Sequence, residues 1–147
     1  MILVDTNVVS ELMRPQCAQA VSAWADAQPA ETLYLSSINA AELWAGVALL
    51  PAGARKRALE ASLEDVLNRL FAGRRLPFDD AAARSYAQIV RHTQAAGTPV
   101  PLADGLIAAV ALARSFAVAT RDAAPFRAAG VAAVIDPWQH PTPGEGA

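Results

Sequence analysis

Three apolar residues in a row, Ile2-Leu3-Val4, end abruptly on a carboxylate, Asp5. A run of this kind, with no polar-apolar alternation, reads as a short strand covered on both faces, as in a parallel sheet. A carboxylate at the end of a buried strand is costly unless something compensates for it. Thr6 or Asn7 then caps a helix through Val8, Val9 and Leu12. Asp5 thus stands where a central strand hands over to a helix, and in open α/β sheets ligands bind along that edge. Asp is also common as a plain turn or cap residue at such junctions, so this stretch alone leaves both roles open.

The rest of the chain repeats the pattern. Ala18 to Ala27 is expected to be helical, with Val21, Trp24 and Ala25 on one face. Leu33-Tyr34-Leu35 reads as a second strand, with Ser36 and Ser37 as cap candidates. Ile38 to Leu50 is a strongly apolar helix with a single charge, Glu42, and Pro51-Ala52-Gly53 closes it. Ala54 to Phe71 is amphipathic, its leucines spaced three to four residues apart. These two helices form an αα-hairpin that offers a face for dimerisation. Arg75 to Phe78 is a weak strand, which Pro77 assigns to an edge. Asp79 or Asp80 caps a helix over Ala81 to Ala96, with Tyr86, Ile89 and Val90 inward, and Gly97 stops it. Leu102 to Phe116 begins another apolar helix, with Asp104 in its first turn. Phe116 to Thr120 is a strand followed at once by Arg121-Asp122. A short turn through Pro125-Phe126 leads to a last strand, Val131 to Ile135, and Asp136-Pro137-Trp138 closes the ordered core. Strands alternating with helices predict an α/β chain, its parallel sheet covered by helices on both faces.

The 147 residues are 54% hydrophobic and 18% charged, enough for a sizeable core in one domain. We place this domain at residues 1–139, followed by a Pro/Gly-rich, frayed tail over 140–147. A single cysteine, Cys17, excludes an intramolecular disulfide and a cysteine-based zinc cluster. No apolar run reaches the ~18 residues of a membrane span. No basic leader precedes the first apolar run. The expectation is a cytoplasmic protein that does not engage a membrane. The net charge of −2 does not by itself favour nucleic acid, yet two bound Mg²⁺ would reverse its sign.

Four acids share one feature. Asp5 and Asp122 each follow an apolar strand, and Glu42 and Asp104 each sit early in a nearly uncharged helix. Right-handed crossovers bring the carboxyl ends of parallel strands, and the starts of the helices that follow, to one edge of the sheet. The four carboxylates are therefore expected to share a pocket. Four like charges together are unfavourable, and a divalent cation relieves them. An oxygen-only donor set suits Mg²⁺ or Mn²⁺, and Mg²⁺ commonly binds through a few carboxylates plus substrate phosphates. A phosphodiester is the natural substrate, with the cation activating water and stabilising the leaving oxygen. His92 and His140 read as surface residues, and Trp24, Trp44 and Trp138 as core or interface rather than base-stacking platforms.

Taken together, these segments resemble PIN-domain ribonucleases of the VapC family, in their FitB-like branch. The resemblance is carried by Ile2-Leu3-Val4-Asp5-Thr6-Asn7 with Ser10-Glu11, and by Leu35-Ser36 leading to Ala41-Glu42-Leu43 and Gly46. Arg75 to Asp79, Asp104-Gly105-Leu106-Ile107-Ala108-Ala109, Ala119-Thr120-Arg121-Asp122 and Asp136-Pro137-Trp138 complete it. It implies a three-layer α/β/α sandwich with a central parallel sheet. It implies a Mg²⁺- or Mn²⁺-dependent endoribonuclease toxin whose metal ligands match Asp5, Glu42, Asp104 and Asp122, with Asn7 and Thr120 as supporting polar residues. It implies a homodimer restrained by a small DNA-binding antitoxin of ribbon-helix-helix type, which can place an arginine in the acidic pocket, the pair repressing its own promoter. One position departs from the pattern. Many relatives carry Asn after the Thr-Arg pair and an acid three residues later, whereas here Asp122 takes the Asn place and Pro125 the later one. That shift keeps a second possibility open, a weakly catalytic or non-catalytic PIN module whose main work is to bind its antitoxin. A phospho-acceptor receiver domain also clusters acids at strand ends, but it normally needs a lysine at the end of a late strand, and the sole lysine, Lys56, lies on a helix.

Overall fold

The computed structural model describes residues 1–144. In chain order the elements are β1 (Ile2–Val4), α1 (Thr6–Leu12), α2 (Gln19–Ala27), β2 (Leu33–Ser36), α3 (Ser37–Ala48), α4 (Ala54–Leu70), β3 (Arg75–Leu76), α5 (Asp80–Ala95), α6 (Leu102–Arg114), β4 (Ala117–Ala119), α7 (Ala123–Ala128) and β5 (Val134–Ile135). The strands form one sheet in the order β3-β2-β1-β4-β5. Every pairing is parallel, with Ile2 opposite both Leu33 and Ala117, and Val4 opposite Ala119. The expected three-layer α/β/α sandwich is what the chain forms.

Side-chain alternation along the strands divides the interior in two. Leu3 and Val118 face a core built with α5, α6 and α7, including Ile89, Ile107, Val110 and Phe126. Val4, Leu33, Leu35 and Ala119 face the opposite core, with Val8, Val21, Trp24, Leu63 and Leu67 from α1, α2 and α4, and Phe71 just after α4. A strand of three residues buried on both sides thus contributes to two cores at once. This is why Ile2-Leu3-Val4 carries no polar alternation.

Several local expectations are corrected. Asp5, not Thr6 or Asn7, caps α1, its carboxylate accepting the Thr6 N–H at 2.8 Å. The segment read as a turn through Pro125-Phe126 is the helix α7. Pro125 falls in its first turn, where the missing N–H would have no intrahelical partner anyway. β4 and β5 are shorter than expected, and the apolar α3 is only partly buried: Trp44 is 39% exposed, and Leu49, at its C-cap, 86%. Asp79 is the cap of α5, and Gly97 follows that helix with φ +70°. The expected tail falls partly on residues 145–147, which lie outside the described residues.

α5 and α6 lie in close contact at Gly105. A Cβ there would stand 3.2 Å from Cε2 of Tyr86. Gly105→Val is therefore expected to destabilise the fold by about 1–3 kcal/mol through overpacking. Thermal unfolding of the variant checks this, and Tyr86→Leu in the same background should restore part of the loss.

Candidate active site

The chain lays down β1, β2 and β3 outward in one direction, then returns to place β4 on the other side of β1. Strand order therefore reverses between β1 and β4. In open α/β sheets the crevice at such a point, at the carboxyl ends of the strands, is where ligands bind. Asp5 leaves β1 at this crevice, and Thr120, Arg121 and Asp122 leave β4 beside it.

Asp5 is 5% exposed. Its Oδ1 accepts from the Thr6 N–H at 2.8 Å and from Asn39 Nδ2 at 3.2 Å, and its Oδ2 accepts from the Thr120 hydroxyl at 2.8 Å. Three donors fix both oxygens and favour the charged form. Burial opposes them, with the charge of Glu42 adding to it, and the Asp5 carboxyl is held above the usual carboxylate range. The expected polar residues take part. Asn7 Nδ2 donates to Thr120 Oγ1 at 3.3 Å and its Oδ1 accepts from the Arg121 N–H at 3.3 Å; the Asp122 N–H also donates to Thr120 Oγ1, at 3.1 Å. Asn7 and Thr120 thus tie the end of β4 to the start of α1.

Glu42 lies on the exposed side of α3, and its Oε1 accepts from the Thr6 hydroxyl at 2.8 Å. The Thr6 oxygen in turn accepts from Asn39 Nδ2 at 3.0 Å. One buried amide therefore serves two acids, Asp5 directly and Glu42 through Thr6. Asn39 is itself fixed by a capping box: its N–H donates to Ser36 Oγ at 3.1 Å, and its Oδ1 accepts from the Ser36 N–H at 3.3 Å. Sequence reasoning took Ser36 as a cap candidate but missed Asn39. The signal was Asn three residues after that serine, a spacing shared with the capping box.

Asp104, in the first turn of α6, is pushed up to about 6, chiefly by burial and then by the charges of Asp5, Asp122 and Glu42. Asp5, Asp122 and Glu42 thus each add to the electrostatic cost of charging Asp104. Asp122 is exposed and stands at the start of α7 without capping it.

The donor set is oxygen alone, with no His or Cys among the four acids, which suits Mg²⁺ or Mn²⁺ and not zinc. Among the described residues no three His, Cys, Asp or Glu side chains form a ready-made cage. Mg²⁺ does not require one, since it keeps several waters and takes one or two carboxylates. Beside the acids, a groove of about 660 Å³ runs between α1, α3 and α4, lined by Thr6, Glu42, Leu43, Val47, Leu59 and Leu63.

A parallel α/β/α sandwich with acids gathered at its switch point is the plan of the PIN domain, and the chain belongs to that family: the PIN domain model matches residues 2–131. Its relatives place it more finely. It is 51% identical over 138 residues to Toxin FitB of Neisseria gonorrhoeae, covering 94% of this chain and 99% of that one. It is 50% identical over 139 residues to VapC ribonuclease Y4jK of Sinorhizobium fredii, covering 95% and 99%. Among solved structures, that of FitAB bound to an IR36 DNA fragment superposes with a TM-score of 0.89 at 48% identity, covering 96% of this chain and 98% of the other. The chain sits in the VapC and FitB branch of the PIN family, as the sequence motifs implied. Among the described residues no helix is long and apolar enough to cross a membrane.

Proposed function

We propose that this chain is the toxin of a toxin–antitoxin pair, a cytoplasmic endoribonuclease that hydrolyses RNA phosphodiesters with Mg²⁺ or Mn²⁺. The observation that carries this is Asp5, buried at the switch point and held by Thr6, Asn39 and Thr120, with Glu42 tied to it through Thr6; burial and the charges of Asp5, Asp122 and Glu42 raise Asp104 beside them. Such shifts concentrate at functional sites. The names of its relatives, a VapC ribonuclease and a FitB toxin, support the same conclusion.

Asp5, Glu42, Asp104 and Asp122 would hold the cation, which supplies Lewis-acid charge at the phosphate and activates water. The chain's own residues do the positioning. Asn39, Thr120 and the start of α1 fix Asp5; Thr6 fixes the Glu42 oxygen; Asn7 binds the β4 end to α1. Carboxylates and a cation read phosphate and not bases, so choice of RNA rests with the surface around the site and with unstacked bases. The groove beside Thr6 and Glu42 provides an apolar bed for a segment of a small DNA-binding antitoxin of ribbon-helix-helix type. The structure of FitAB bound to a DNA fragment supports a DNA-associated partner. The exposed apolar residues Trp44 of α3 and Leu49, just after it, are suited to a homodimer contact.

The test is calorimetric titration of Mg²⁺ and Mn²⁺ into the purified chain, alongside cleavage of a mixed RNA pool. Binding and cleavage that both vanish with Asp5→Asn support the proposal. A well-folded chain that binds neither cation sinks it and leaves the non-catalytic module. Cleavage is also expected to rise with pH through about 6, as Asp104 loses its proton, and a pH–rate profile at saturating Mg²⁺ should show this limb displaced downward by the cation.

A further inference from the structure

Arg121 follows β4 between Thr120 and Asp122, so its backbone leaves the sheet beside the acids, and it is exposed. Its backbone is pinned, the N–H donating to Asn7 Oδ1 at 3.3 Å. Its guanidinium lies over the Trp138 ring, 4.9 Å from the centroid. Trp138 is a firm support. Its N–H donates to Asp136 Oδ1 at 3.0 Å, and its ring packs against the core that holds Val8, Val21 and Trp24.

The arginine is placed but its donors are not spent. Among the described residues, the ion pairs are made by Arg14, Arg69, Arg84 and Arg114, and none involves Arg121. Glu11 feels its charge, but that carboxylate already accepts the Ala18 N–H at 2.8 Å and Arg14 Nη1 at 3.2 Å. A guanidinium resting on an aromatic face keeps its N–H groups available at its edges, in the fork that matches two phosphate oxygens. We propose that Arg121, held on Trp138, is the residue that grips a phosphate of the RNA strand and delivers the neighbouring phosphodiester to the acids. This rests on the ribonuclease function proposed above. It also answers an electrostatic need of that function. Four carboxylates repel a polyanion, and a fixed cation on the neighbouring surface, along the path of the strand, offsets that repulsion.

The experiment is fluorescence anisotropy of a labelled single-stranded RNA on the full chain. Ca²⁺ replaces Mg²⁺ in the binding assay, and gels of the same samples report strand integrity. Cleavage with Mg²⁺ is measured in parallel. Arg121→Ala is expected to weaken binding about tenfold or more. It should also reduce the slope of log affinity against log salt by about 0.7, the loss of one phosphate contact to a single strand. Arg121→Lys should keep the salt slope and recover only part of the affinity, since a point charge replaces the fork. Trp138→Phe should fall between parent and Arg121→Ala. If the parent binds and cleaves RNA but Arg121→Ala leaves affinity and salt slope unchanged, the grip is overturned and the ribonuclease stands. The grip is overturned equally if Arg121→Ala lowers only the unfolding temperature, which would assign the arginine to support of Trp138 and Glu11. A parent that neither binds nor cleaves overturns both.

Discussion

Asp104→Asn is expected to leave the protein more stable than the parent at pH 7.5 and at least a hundredfold less active on RNA. The two effects have one cause. Burial and three neighbouring carboxylates hold the Asp104 carboxyl up at about 6, against 3.8 for the free side chain. Below pH 3.8 the acid is protonated in both folded and unfolded chains, and the folded state gains fully from holding that proton. The gain is lost as pH rises through about 6, when the folded chain must carry the charge. The full interval would correspond to about 3 kcal/mol. Asp104 is only partly buried and water screens the repulsion, so ~1 kcal/mol is the stabilisation expected from the amide at neutral pH. Thermal unfolding should show this advantage at pH 7.5 and its disappearance near pH 4. Adding Mg²⁺ or Mn²⁺ should raise the parent's unfolding temperature and leave the variant's nearly unmoved, because the charge that destabilises the pocket is the one the proposed cation would neutralise. An Asp104→Asn protein less stable than the parent at every pH would show that Asp104 is a structural acid.

Asn39→Ala is expected to damage fold and chemistry together. The side chain is fully buried and serves Asp5, Thr6 and Ser36. Its removal takes a donor from Asp5, leaves the Thr6 hydroxyl less constrained toward Glu42, and strips the Ser36 N–H of its acceptor at the start of α3. Loss of a buried hydrogen-bonding partner and of half a capping box together amount to about 2–3 kcal/mol. Urea unfolding should show that loss as an earlier midpoint with an unchanged slope. Cleavage by the folded fraction should fall about tenfold, the effect of mispositioning two acids without deleting either. Asn39→Asp tests the same position in a different way. The acceptor for Ser36 remains, but a fifth carboxylate faces Asp5, and affinity for Mn²⁺ should change while the cap persists.

The acids were legible because each interrupts an apolar run, and interruption is a local signal. Ile2-Leu3-Val4 before Asp5 and Ala117-Val118-Ala119 before Thr120 mark strand ends without any knowledge of the partners. The parallel arrangement followed from the same runs, since each strand serves two cores. Asn39 was not legible in this way. Its role depends on Asp5 and Thr6, more than thirty residues earlier, and an asparagine in a helix has many local explanations. The helix α7 was hidden for the opposite reason. Pro125 is a strong local breaker, and only its place in the first turn makes it compatible with a helix. Glu42 was expected within a strongly apolar helix; apolar residues near it instead lie partly at the surface, Trp44 at 39% exposed and Leu49, just after α3, at 86%.

The pairing of β1 with β4 has a consequence for how the protein is made. Asp5 and the hydroxyl that secures it are 115 residues apart. β1 also needs β4 as its neighbour on one side. A chain leaving the ribosome must therefore carry its first strand through most of its own synthesis before the central pairing and the acidic crevice close. An unfinished copy has β1, α3 and Glu42 but neither Thr120 nor Asp122. For a nuclease of the proposed kind, this topology withholds the assembled acidic site until nearly the whole polypeptide has emerged.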